Sequence, residues 1–150
     1  MIVYMDVCCL NRPFDDQLQE RIKLESEAIL IILKFCQNGK WLLLNSEVID
    51  FEISLIIDTY RRFKIESILS IADSNSKITI DRKIVTRTKE ITEMGFQPFD
   101  AMHIACAEFA NADIFFTTDD KLLKNAGKKS KLLNVKINNP VLWLMEVKTK

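Results

Sequence analysis

Glycine is scarce in this chain of 150 residues: only Gly39, Gly95 and Gly127 occur. None of them falls in a Gly-x-Gly-x-x-Gly or Gly-x-x-x-x-Gly-Lys pattern, which excludes the usual glycine-dependent dinucleotide and nucleoside triphosphate sites. A Gly-x-Ser-x-Gly elbow is also missing, and the one histidine, His103, has no evident nucleophile partner in the sequence. No charge sign is in excess, because 21 basic and 21 acidic residues cancel. Contact with a polyanion must therefore come from local patches rather than a global field. The four cysteines, Cys8, Cys9, Cys36 and Cys106, include no Cys-x-x-Cys pair, which argues against a zinc site of the common kind. Cys8 and Cys9 are adjacent and poorly placed to bridge each other, so buried reduced thiols in a cytoplasmic protein are expected. The longest apolar run, Ala28–Leu33, is too short to span a bilayer. Asp6 interrupts the apolar N-terminus and no basic segment precedes it, so the expectation is a soluble protein with no export signal and no membrane partner.

What remains is ordinary globular material: 48% hydrophobic and 28% charged residues, enough for one domain over 1–150 with its own core. Ile2–Met5 reads as a buried strand ending on Asp6, and Asn11-Arg12-Pro13 as a loop. A long helix is expected from Asp15 to a stop at Asn38-Gly39. Trp41–Leu44 is a second strand, and Ser46 is the N-cap of a helix running to Ile57. Further helices are expected over Tyr60–Ala72, from Asp81 to Met94, and from Asp100 to Ala110. Lys77–Ile80, Asp113–Thr117 and Leu133–Ile137 complete the strands, with a short helix after Asp119-Asp120 and a terminal one after Pro140. Alternating strands and helices without a polar linker imply an α/β fold with a parallel sheet of about five strands, covered by helices on both faces.

Ligands of open α/β sheets bind beyond the carboxyl ends of the strands. Asp6 ends the first strand, Asp100 opens a helix after the Pro98 loop, and Asp119 follows the strand Ile114–Thr117. Glu52, on the helix capped by Ser46, can lean into the same crevice. Each has a plain structural reading: Asp100 and Asp119 as helix caps, Glu52 as a solvated helix charge. Asp6 is harder to dismiss, because a carboxylate extending a buried apolar strand is costly without a partner. Together the carboxylates would repel unless protonated or neutralised, and oxygen-only ligation suits Mg²⁺ or Mn²⁺.

Four segments carry a resemblance: Ile2-Val-Tyr-Met-Asp6, Ser46 with Glu52, Phe99-Asp-Ala-Met-His-Ile-Ala-Cys-Ala107, and Phe116-Thr-Thr-Asp-Asp120. In this order and spacing they resemble the acidic motifs of PIN domains, and Val135–Pro140 resembles the closing strand and helix of that family. The resemblance implies a Rossmann-like fold and a Mg²⁺- or Mn²⁺-dependent ribonuclease. It implies Asp6, Glu52, Asp100 and Asp119 as the catalytic, metal-holding cluster, with Asp120 auxiliary. Many members are VapC-type toxins paired with a small antitoxin, and many are homodimers, so those partners are implied beside an RNA substrate. Val7 departs from the pattern, standing where a hydroxyl residue often follows the first aspartate. Cys8, Asn11, Ser46 or Thr117 would then supply the missing hydrogen bond, and His103, one turn after Asp100, can support a carboxylate. Arg12, Lys121 and Lys124, close to the crevice in sequence, are candidates for RNA binding. Two other readings stay open: a PIN-like scaffold that binds RNA or protein without cleaving, and a small-molecule phosphatase.

Overall fold

Strands β1 (Ile2–Met5) and β3 (Ile114–Phe116) form the middle of the sheet, in a computed structural model that describes residues 1–72 and 74–148. They pair in parallel, with Val3 opposite Ile114, Tyr4 opposite Phe115 and Met5 opposite Phe116. All six of these side chains are buried, as expected of parallel strands covered on both faces. Strand alternation directs Tyr4 and Phe115 to one face, where their rings stack with centroids 5.2 Å apart. Phe116, on the opposite face, meets the edge of Trp143 in the terminal helix.

The flanking strands are β2 (Leu42–Leu43), parallel to β1, and β4 (Ile137–Asn138), parallel to β3. The sheet order is thus β2-β1-β3-β4, four strands rather than about five. The candidate strand Lys77–Ile80 accounts for the difference. It makes a single parallel bridge, Ile78 with Ser46, and does not extend into a ladder. The chain leaves β1 toward β2 and returns to the other side of β1 as β3. That reversal makes the carboxyl ends of β1 and β3 the switch point of the sheet, the usual ligand position in such folds.

Eight helices connect the strands among the described residues: α1 (Val7–Asn11), α2 (Glu20–Gln37), α3 (Glu47–Ser54), α4 (Thr59–Leu69), α5 (Arg82–Glu93), α6 (Pro98–Phe109), α7 (Asp120–Lys128) and α8 (Pro140–Lys148). The expected loop at Asn11-Arg12-Pro13 is instead the end of α1 followed by a 3₁₀ turn over Arg12–Phe14. The helix expected from Asp15 starts only at Glu20, and Asp15 instead pairs with Arg12 and Arg61. Gly39 and Gly95 take φ of 79° and 100° just past α2 and α5, a conformation that favours glycine and stops both helices. Ser46, Asp58 and Asp81 each cap a helix by accepting backbone N–H bonds. Helix α5 buries Ile84, Thr88 and Ile91 along one stripe and packs on the small residues of α6. Among the described residues no helix is long and apolar enough to cross a membrane.

Candidate functional site

Asp6 follows the last residue of β1, and its backbone N–H donates to Phe116 O of β3 at 3.3 Å, so the two strand ends stay side by side. Its side chain is 5% exposed and caps α1, accepting from Cys9 N–H at 3.1 Å and from the Cys8 thiol at 2.8 Å. Burial raises the Asp6 carboxyl well above its ordinary range, with the neighbouring Cys8 adding to the rise. Hydrogen bonds from Thr117 and from the Cys9 N–H offset this in part.

Asp119 lies three residues beyond the last residue of β3 and caps α7, accepting from the N–H groups of Lys121 and Leu122 at 2.9 and 3.2 Å. Asp100 does not cap α6. Gln97 occupies the N-cap position and Asp100 sits within the first turn. Asp100 and Asp119 line one crevice of ≈ 350 Å³, together with Lys121, Lys124 and Lys128. Burial, then the charge of Asp119, raises the Asp100 carboxyl from 3.8 to about 6. His103 opposes that shift, while Cys8 and Glu52 add to it, so the field of all these groups meets at Asp100.

Glu52 is held from behind by a chain of buried hydrogen bonds. Glu52 Oε1 lies 2.6 Å from His103 Nε2, His103 Nδ1 lies 2.6 Å from the Tyr4 hydroxyl, and that hydroxyl lies 2.8 Å from Ser46 Oγ. Ser46 Oγ accepts from Ile49 N–H at 3.1 Å. If the ring is neutral and donates Nε2–H to the carboxylate, Nδ1 accepts from Tyr4 and the Ser46 hydroxyl donates to the Tyr4 oxygen. The chain joins β1, α3 and α6, and it fixes Glu52 by contacts that no sequence spacing reveals.

Other expected site residues are placed differently. Asp120 forms a two-point pair with Arg21, at 2.8 and 2.7 Å, so its carboxylate is committed to α2 and not to the crevice. Arg12, expected to meet RNA, is bound to Glu25 and Asp15. Asn11 Oδ1 accepts from Arg61 at 3.4 Å and Ser46 serves Tyr4, so neither supports Asp6. Cys8 and Thr117 take the place beside Asp6 that Val7 leaves empty, and Val7 itself is buried. Arg21 and Glu25, which no local sequence pattern marks, also brace this region. Glu25, 2% exposed, accepts from Arg12, Arg21 and Asn139, and Arg21 also donates to Thr118 O in the loop that carries Asp119.

Asp100 and Asp119 face one crevice with carboxylate oxygens, which suit a hard divalent cation, and a cation there would offset the Asp119 charge that, after burial, raises Asp100. Neither Asp6 nor Glu52 lines that crevice.

No curated protein matches the chain. Among solved structures, a chain of VapBC2 from Rickettsia felis, bound to a DNA fragment from their promoter, superposes with a TM-score of 0.61. The two are 14% identical, and the match covers 93% of this chain and 98% of that one. The family model of the PIN domain matches residues 15–129, a stretch that includes Glu52, Asp100 and Asp119, while Asp6 lies ahead of it. The chain belongs to the PIN domain family.

Proposed function

We propose that this protein is a Mg²⁺- or Mn²⁺-dependent endoribonuclease, acting through Asp6, Glu52, Asp100 and Asp119. The observation that carries the reading is the crevice in which Asp100 and Asp119 lie beside Lys121, Lys124 and Lys128, within the stretch that the PIN family model matches. Burial and the like charge of Asp119 raise the Asp100 carboxyl to about 6, a shift that a bound cation would offset. When bound, a divalent ion supplies Lewis acidity to the phosphate and lowers the pKa of a water.

The chain's own residues supply the rest. Asp6, Asp100 and Asp119 would hold the ion by oxygen. Glu52, oriented by His103, would serve as a further ligand or align the attacking water. Lys121, Lys124 and Lys128 recur at helical spacing on α7 and line the crevice of Asp100 and Asp119, where they can hold the phosphates next to the scissile one. Phe99 and Phe51, the residues preceding Asp100 and Glu52, stack at 5.9 Å and leave ring surface exposed for bases. The motif resemblance to VapC-type toxins and the fold likeness to a chain of VapBC2 support an antitoxin partner; the homodimer rests on the motif resemblance alone.

The test is incubation of the purified protein with mixed RNAs and Mn²⁺ or Mg²⁺. Cleavage is expected with either ion, and neither with chelator present nor in Asp6→Asn. Activity that survives both controls overturns the reading, and metal-independent RNA binding without cleavage identifies a scaffold instead.

The histidine relay has its own expected result. His103→Ala should lower metal-dependent turnover by ~10- to 100-fold, the range for partners that orient metal ligands. It should also destabilise the fold by about 1–3 kcal/mol, because the buried Tyr4 hydroxyl loses a partner. Turnover measured beside thermal melts separates the two effects, and unchanged turnover in a folded variant would remove the orienting role.

A further inference from the structure

Asp6 has neighbours of a different chemistry from the carboxylates. One of its oxygens and the sulfurs of Cys8 and Cys9 lie within 4.8 Å of one another. All three belong to the cap and first turn of α1, so a single stretch of backbone preorganises them. A tetrahedral zinc ion with sulfur and carboxylate ligands needs ligand atoms separated by about 3.5–4 Å, within the 4.8 Å that bounds these three atoms. Cys8 Sγ also accepts from Thr118 N–H at 3.4 Å and from the Thr118 hydroxyl at 3.1 Å. Donors of this kind orient a coordinated thiolate. Cys8 is half-buried and the most accessible of the four thiols, whereas Cys9, Cys36 and Cys106 are buried.

We propose that Asp6, Cys8 and Cys9 form a second cation site, selective for thiophilic ions such as Zn²⁺ or Cd²⁺, that shares Asp6 with the carboxylate cluster and so excludes Mg²⁺ or Mn²⁺ from it. Sulfur ligands select soft and borderline ions, while the oxygen cluster selects hard ones, so the cation supply decides which site is filled. Coordination replaces the two S–H protons by metal–sulfur bonds, and those protons pass to solvent. The site stands independently of the proposed nuclease reading; only the exclusion rests on it.

The probe is Cd²⁺, titrated into the full-length reduced protein while sulfur-to-cadmium charge-transfer absorption is followed. One ion per chain is expected. Cys8→Ser and Cys9→Ser should each weaken binding at least about tenfold, and Asp100→Asn should leave it intact. In the unmodified protein, Cd²⁺ should slow alkylation of Cys8 and Mn²⁺ should not, a readout that needs no variant. Absence of the band, or a band that persists in the double cysteine variant, overturns the site. Release of Mn²⁺ on adding Cd²⁺, read by spin resonance, is the expected exclusion, and simultaneous binding of both ions overturns it. Cd²⁺ binding in a protein that never binds Mn²⁺ would refute the nuclease reading and the exclusion while upholding the thiol site.

Discussion

Asp100→Asn is expected to remove Mn²⁺-dependent RNA cleavage, by more than the ~100-fold that marks the loss of an outer-shell partner, and at the same time to stabilise the metal-free protein at pH 8. The two effects have one cause. Burial and the Asp119 charge raise this carboxyl from 3.8 to about 6. A carboxyl raised in the folded state contributes stability that is fully present below the unfolded value and is lost as pH rises through the folded one. The contribution is therefore complete below about pH 4 and gone above about pH 6, where the ionised group opposes folding. Asparagine cannot ionise, so the variant should melt higher than the parent at pH 8 and lose that advantage at pH 4. Added Mn²⁺ should reverse the order, since binding stabilises the parent by about 2.7 kcal/mol at a hundredfold excess over Kd. Calorimetry at pH 4, 6 and 8, with and without Mn²⁺, measures all of this. A variant that melts below the parent at pH 8 would mean that Asp100 serves the fold, as an ordinary first-turn carboxylate does.

The residues that were legible in the sequence are those whose role is local. Asp6 follows a short apolar run and Asp119 follows another, and a buried parallel strand needs little more than such a run to declare its end. Ser46 and Asp81 could be read as caps because a cap acts on N–H groups three residues away. Lys77–Ile80 has the alternation of a strand, yet a strand exists only through its partner, and Ser46 is the one residue it pairs with. The short helix α1 was hidden by Pro13 downstream and by two adjacent cysteines with weak helix preference. Tyr4 looked like core material, and its ring is, but its hydroxyl connects Ser46 to His103 across 42 and 99 residues of sequence. Asp120 looked like a companion of Asp119 until Arg21, also 99 residues away, claimed it. Partners this distant leave no periodic trace. The burial of an apolar residue follows a pattern along the chain, whereas an ion pair depends on the tertiary fold.

Glu25 is the extreme case of such dependence, and Glu25→Ala is expected to destabilise the protein by about 3 kcal/mol, lowering the melting temperature by about 6–12 °C. The carboxylate is 2% exposed and accepts from Arg12 Nε at 2.9 Å, Arg21 Nε at 3.4 Å and Asn139 Nδ2 at 2.7 Å. Through it the turn after α1, helix α2 and the β4–α8 connection are joined. Removal leaves the buried Asn139 amide without an acceptor and two guanidinium groups short of one partner. The loss belongs at the low end for a broken buried pair, because Arg12 keeps Asp15 and Arg21 keeps Asp120. Lys77→Ala, which breaks the exposed pair with Asp50, supplies the contrast and should cost less than about 1 kcal/mol. Denaturant melts of the two variants decide the matter, and equal midpoints would show that the buried network contributes no more than a surface pair. Arg21 also donates to Thr118 O and grips Asp120, on either side of Asp119. Glu25→Ala should therefore loosen the loop that presents Asp119, so that Mn²⁺ affinity falls even below the melting transition, where the chain is still folded.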